Sequence, residues 1–312
     1  MAGVIDDPGS RVYIGRERST DCEGSREQGE VHVKPVMKPA EALPFFFDRD
    51  ALLEVARERA TVHQENAPFP HTVIDGLFPT ELLERVLSEF PSPRTEGWER
   101  YDDPLQKKLG SRDEERLGPT TRLFLHELNS APFIQFLEEL TGIRGLVPDP
   151  WYEGGGLHQI ERGGMLKVHV DFNKHTLLKL DRRINVLVYL NKDWDEAWGG
   201  HLELWDTEMK KAEHKIAPLF NRMVVFNTTD FANHGHPDPL QCPAERQRRS
   251  LALYYYSNGR PASEVAASHT TIFKRRPGES IPLTLSEVGE NLLPPILLDA
   301  IRRAGFVRSR KG

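Results

Sequence analysis

The chain has little cysteine: Cys22 and Cys242 are the only two in 312 residues. One sits in a polar N-terminal stretch and the other in a proline-rich segment, so no disulfide framework is expected and a reducing, cytoplasmic setting fits. Long apolar runs are also missing. None approaches the roughly 20 residues that span a bilayer, and the N-terminus lacks the apolar region of a secretory signal, so neither a membrane partner nor export is expected. Positive charge is not in excess, since 41 basic residues stand against 47 acidic ones for a formal net charge of -6. That balance gives no overall electrostatic reason for a nucleic-acid partner, and the basic clusters "FKRRPGE" and "RSRKG" read as solvated ends. Internal repeats are absent, which excludes a solenoid.

What is present divides into four parts. Residues 1–42 are polar, charged and without periodicity, and read as a flexible arm. Residues 43–150 read as a helical support region. In it "LPFFFDRDALLEVARERATVHQEN" predicts a helix capped by Asp48 or Asp50, and "HTVID" a strand. A second helix, capped near Thr80, places Leu82, Leu83, Val86, Leu87 and Phe90 on one face. The charged, turn-rich 101–118 segment reads as a loop and a candidate cover for a site. A third helix, "SAPFIQFLEELTG", ends at Gly142. From residue 151 the texture changes to short β-rich runs, "LHQIE", "MLKVHVDF", "RINVLVYL", "HLELWD", "RMVVFN" and "SLALYYYS". Closely spaced strands without intervening helices predict an antiparallel sandwich or barrel over 151–275. The fold class is therefore mainly β with flanking helices (α+β). Residues 276–312 return to helix at "ILLDAIRRAG".

The chemistry concentrates in the β-rich part. In "GGMLKVHVDFNKH" the alternation of a strand puts His169 and Asp171 on one side, where both can reach one ion. His-x-Asp alone is a weak signal, because the chain holds a second, His236-Pro237-Asp238. Downstream, "NHGHPDPL" offers His234 and His236. Two histidines and one carboxylate make the facial triad of non-haem Fe(II) oxygenases, which leaves positions open for substrate and oxygen. In "RQRRSLALYYYS" alternation places Arg248 beside Ser250 and Ala252, while Arg249 shares its face with Leu251 and Leu253. A guanidinium in a small-residue space suits a carboxylate.

Together "HVD", "INVLVYLNKDWDEAWGGHLEL", "HGH" and "RRSLALYYY" resemble the prolyl 4-hydroxylase type of Fe(II)- and 2-oxoglutarate-dependent dioxygenase. The likeness is clearest over about residues 151–260. It implies a double-stranded β-helix (jelly roll) core and Fe(II), 2-oxoglutarate and O2 as cofactor and cosubstrates, with ascorbate a candidate accessory. It also implies His169, Asp171 and His234 as metal ligands, with His236 the alternative to His234. Arg248 and Tyr189 would hold the distal carboxylate of 2-oxoglutarate, with Arg249 the alternative register, and no catalytic residue beyond the iron site is implied. Asn185, Glu161, His201 and Ser250 are candidate pocket residues; Glu161 and His201 stand where the family often has a tyrosine and an acid. Asp171 favours hydroxylation, since related halogenases carry a small residue there. The implied substrate is a prolyl residue, amino acid or related metabolite, free or in a protein. Two other readings stay open: a non-catalytic cupin-like binding protein, and an oxygen sensor that hydroxylates a partner.

Overall fold

The computed structural model describes residues 45–279. The expected arm and the helix read at "ILLDAIRRAG" lie outside the described residues. The Asp48 carboxylate accepts the backbone N–H groups of Asp50 (3.0 Å) and Ala51 (3.1 Å) and so caps α1 (Arg49–Glu65). Strand β1 (His71–Asp75) follows, then α2 (Thr80–Ser88), which buries Leu82, Leu83 and Val86 as its periodicity predicts. Thr80 is its first helical residue, and Pro79 precedes it without a side-chain cap.

The 101–118 segment is not a free loop. It contributes most of a hairpin, β2 (Glu99–Asp103) and β3 (Gln106–Ser111), closed by the Asp103 carboxylate accepting the N–H groups of Leu105 and Gln106. Its strands are polar because β2 is largely solvent-exposed, and that hides the strand pattern in the sequence. Helix α3 (Pro119–Leu128), not foreseen, buries Phe124, Leu125 and Leu128. Helix α4 (Ala131–Thr141) stops at Gly142, which adopts the left-handed conformation at φ 73°.

After the short β4 (Val147–Pro148) come β5 (Gly156–Ile160), β6 (Met165–Val170), β7 (Asp181–Tyr189) and β8 (Leu202–Trp205). The series ends with β9 (Ala212–Ile216), β10 (Arg222–Asn227), β11 (His234–His236), β12 (Arg248–Ser257) and β13 (Ile272–Phe273). Strand β9 was not foreseen because three of its five residues are exposed and polar.

Pairing is antiparallel throughout, and from β5 onward the strands go to opposite walls in turn, except for the β8–β9 hairpin, which stays within one wall. One wall is β1-β10-β7-β12-β5 and the other β6-β11-β8-β9, joined by β3, which pairs with both β5 and β6. This is the expected jelly roll, curled into a half-barrel. The helices pack on the outside of the first wall, where Phe78, Leu83, Phe124, Phe133 and Leu137 meet Val186, Val188, Leu251 and Leu253. The described residues fall in one compact unit, so the 43–150 region supplies strands to the sheet as well as its helices.

Candidate active site

Strands β6 and β11 are neighbours, and their register sets His234 opposite His169. Asp171 follows β6 on the same side. The ligand atoms of His169, Asp171 and His234 lie within 4.8 Å of one another. Each imidazole turns Nδ1 to a backbone carbonyl, His169 to Lys167 (2.8 Å) and His234 to Ala232 (2.8 Å). A carbonyl requires N–H at Nδ1, which leaves Nε2 with its lone pair. Those two Nε2 atoms face Asp171, at 3.5 Å from Oδ1 and 3.4 Å from Oδ2. Burial pulls His234 down to about 4, so it is neutral at neutral pH. Burial would raise the Asp171 carboxyl, but the Arg182 guanidinium together with His234 and His169 outweighs that and holds it well below its usual range. Two imidazole Nε2 atoms and an ionised carboxylate are the donor set a divalent transition metal takes, so these residues fit Fe(II).

Asp171 is gripped from behind. Its Oδ2 accepts from Asn185 Nδ2 (2.8 Å) and lies 3.1 Å from an Arg182 nitrogen. Arg182 also donates twice to Asn185 Oδ1, at 3.0 and 2.8 Å. The guanidinium is stacked between Phe172 (4.4 Å) and Tyr254 (3.4 Å) and is 1 % exposed. Simple alternation along β7 would put Arg183 on the Asn185 face. A bulge opposite Tyr255 and Tyr256 inserts one residue and turns Arg182 there instead.

Arg248 opens β12. Its Nε donates to the Gly200 carbonyl (2.8 Å) and one terminal nitrogen to the Tyr189 hydroxyl (3.1 Å). It is 5 % exposed, and no carboxylate pairs with it among the described residues. Gly200 has φ 76°, and a Cβ there would stand 2.6 Å from Leu240 and 3.0 Å from the Arg248 stem, so only glycine lets this arginine lie flat on the backbone. Arg249 points elsewhere, to Gln159 and Gln247 over the Phe90 ring.

One cavity collects His169, Asp171, His234, Arg248, Asn185 and Ser250. Tyr189 reaches it through its bond to Arg248. His236 lines it too but stands outside the ligand cluster, because the register slips between His234 and His236 and sets His236 opposite Leu166. Two expected pocket residues do not line it. Glu161 is exposed in the turn after Ile160, which takes the inward place, and His201 precedes β8, whose Leu202 points in, while its own ring faces Glu196. Residues the sequence did not single out complete the site: Lys108 from β3, His158 from β5, Tyr254 and, behind Asp171, Arg182. Burial depresses Lys108, partly offset by Asp171, and takes His158 down to about 3. Only alternation from Ser250 along β12 would have found Tyr254; Lys108 carries no local signal.

Residues 155–256 match the family described as the 2OG-Fe(II) oxygenase superfamily. Among solved structures, a prolyl hydroxylase from Trichoplax adhaerens, in complex with a hypoxia inducible factor peptide fragment, is similar at 15% identity and TM-score 0.49, over 67% of this chain and 91% of that one. A Pseudomonas putida prolyl-4-hydroxylase is similar at 16% and 0.44, over 64% and 99%. HygX from Streptomyces hygroscopicus, with nickel, 2-oxoglutarate and hygromycin B bound, is similar at 13% and 0.44, over 69% and 96%. A comparison with curated proteins found no match. The matched stretch, residues 155–256, spans His169, Asp171, His234 and Arg248.

Proposed function

We propose that the protein is an Fe(II)- and 2-oxoglutarate-dependent dioxygenase that hydroxylates an unactivated C–H bond of a prolyl residue, an amino acid or a related metabolite, releasing succinate and CO2. One observation carries this reading: two imidazole lone pairs and an ionised carboxylate face one point, and the same cavity holds a buried guanidinium with no acid of its own. When bound, Fe(II) with 2-oxoglutarate supplies the power to split O2 between substrate and succinate.

His169, Asp171 and His234 would hold the metal from one side and leave the other side open. Asn185 and Arg182 keep Asp171 in one orientation, as partners behind a metal ligand do. Arg248, fixed by Gly200 and Tyr189, would take the far carboxylate of 2-oxoglutarate, and the Tyr189 hydroxyl can add a second hydrogen bond to it. No side chain is needed as a general base. The chain's part is positioning. The cytosol as its compartment and ascorbate as an accessory reductant belong to the same proposal; among the described residues no helix is long and apolar enough to cross a membrane.

The test is an anaerobic titration of metal-free protein with Fe(II) and 2-oxoglutarate, following the visible charge-transfer band of the chelate. The wild type is expected to develop the band. His169→Ala is expected to lose it, and Arg248→Ala to need at least about tenfold more 2-oxoglutarate. A folded, iron-loaded wild type without the band would leave the cupin-like binding protein as the better reading.

A further inference from the structure

The cavity carries more positive charge than the reaction just described uses. Asp171 is the one acidic side chain that lines it, and Arg182 already pairs with Asp171. In the proposed reaction Arg248 would take the far carboxylate of 2-oxoglutarate, and the metal the near one. That leaves Lys108. Its ammonium enters from β3, packs 5.0 Å from the centre of the Tyr101 ring, and has no acid partner among the described residues. A cation in a partly desolvated space is stabilised further by an anion brought to it.

His236 points the same way and is independent of Lys108. It is 4 % exposed, lines the same cavity, and both of its ring nitrogens lack a hydrogen-bond partner. Buried polar atoms without partners are rare enough to need a reason. Lys108 and Arg248 line the same cavity as His236.

Building on the dioxygenase reading, we propose that Lys108 and His236 form a second anion subsite in this cavity, which receives a carboxylate of the organic substrate. The substrate is therefore an acid. One ammonium and one imidazole N–H match the two oxygens of a carboxylate. The free ring nitrogen of His236 remains as an acceptor for a substrate N–H or O–H. The carboxylate can belong to a free main chain or to an acidic side chain in a peptide.

The experiment uses the full-length protein loaded anaerobically with Fe(II) and 2-oxoglutarate and titrated with propionate or with the neutral isostere propionamide. The readouts are the chelate band and the thermal midpoint. Propionate is expected to perturb both and propionamide neither. Lys108→Met is expected to weaken propionate at least about tenfold, while the 2-oxoglutarate midpoint stays within about twofold. Lys108→Arg should keep the response, and His236→Val should weaken it several-fold. N-acetylproline and N-acetylglutamic acid α-amide then distinguish a main-chain from a side-chain carboxylate by which binds more tightly. Equal responses to propionate and propionamide, or an unchanged propionate affinity in Lys108→Met, would overturn the subsite. So would a Lys108→Met protein that has lost 2-oxoglutarate, because the lysine would then serve the cosubstrate. A wild type that forms no chelate band fails earlier and takes the dioxygenase reading with it. The propionate against propionamide comparison on the wild type needs no variant to fold.

Discussion

At the scale of single residues, Asp171 shows how much of a candidate metal site lies behind the residues that would hold the metal. A carboxylate on a strand end has two free torsions, and a metal needs it in one orientation. Here Asn185 and Arg182 fix that orientation through the same oxygen, Oδ2, and the Phe172 and Tyr254 rings fix Arg182. Arg182 also keeps Asp171 ionised in a buried place. Arg182→Gln is therefore expected to weaken Fe(II) binding by about 10–100-fold, read by competition with a chromophoric chelator. An affinity equal to wild type would mean that Asn185 alone sets the carboxylate. His169 and Asp171 were legible in the sequence because a strand's period brings residues two apart to one side. Arg182 was not, because a bulge changed the parity of β7, and a bulge has no signature in "LDRRINV".

At the scale of elements, the site depends on how closely β11 approaches β6. Gly235 makes that approach: a Cβ there would stand 2.8 Å from the Leu166 carbonyl oxygen and 2.9 Å from that of Lys167, both backbone atoms that cannot swing away. Gly235→Ala is expected to push β11 off β6 and carry His234 with it. Destabilisation of about 1–3 kcal/mol in urea unfolding, together with weakened Fe(II) binding, is the expected pair of results. Wild-type stability and metal affinity in that variant would show that the strands can separate without harm. Strand β3 makes the complementary point. Its charged residues suggest a loop, yet it spans the seam between the walls and delivers Lys108 to the cavity. Its partners β5 and β6 decide that, not its own composition.

At the scale of the whole molecule, helices and sheet are tied by His63 of α1, whose ring nitrogen lies 3.1 Å from the Asn227 side-chain oxygen at the end of β10. Burial takes His63 from 6.5 down to about 4. The folded state thus holds it neutral, and its contribution is intact above pH 6.5 and lost as pH falls toward 4. At about 1.4 kcal/mol per pKa unit, the loss by pH 4 is about 3 kcal/mol. The thermal midpoint is expected to drop over this window, and His63→Gln to drop less steeply; identical slopes would place the acid sensitivity elsewhere. The amino-acid sequence by itself determined an antiparallel β-rich half and the helix caps at Asp48 and Gly142, which follow from local period and capping chemistry; the jelly-roll class and the candidate set His169, Asp171, His234, Arg248 and Tyr189 came from the family resemblance its motifs carry. Only the tertiary structure decided between His234 and His236 in the ligand cluster and turned Arg248, not Arg249, inward. Only it left Glu161 and His201 out of the cavity, brought in Lys108 and His158, and set Arg182 behind Asp171. Those choices hang on register slips, a bulge and a strand shared by two walls, and such contacts between distant segments leave no periodic trace in the chain.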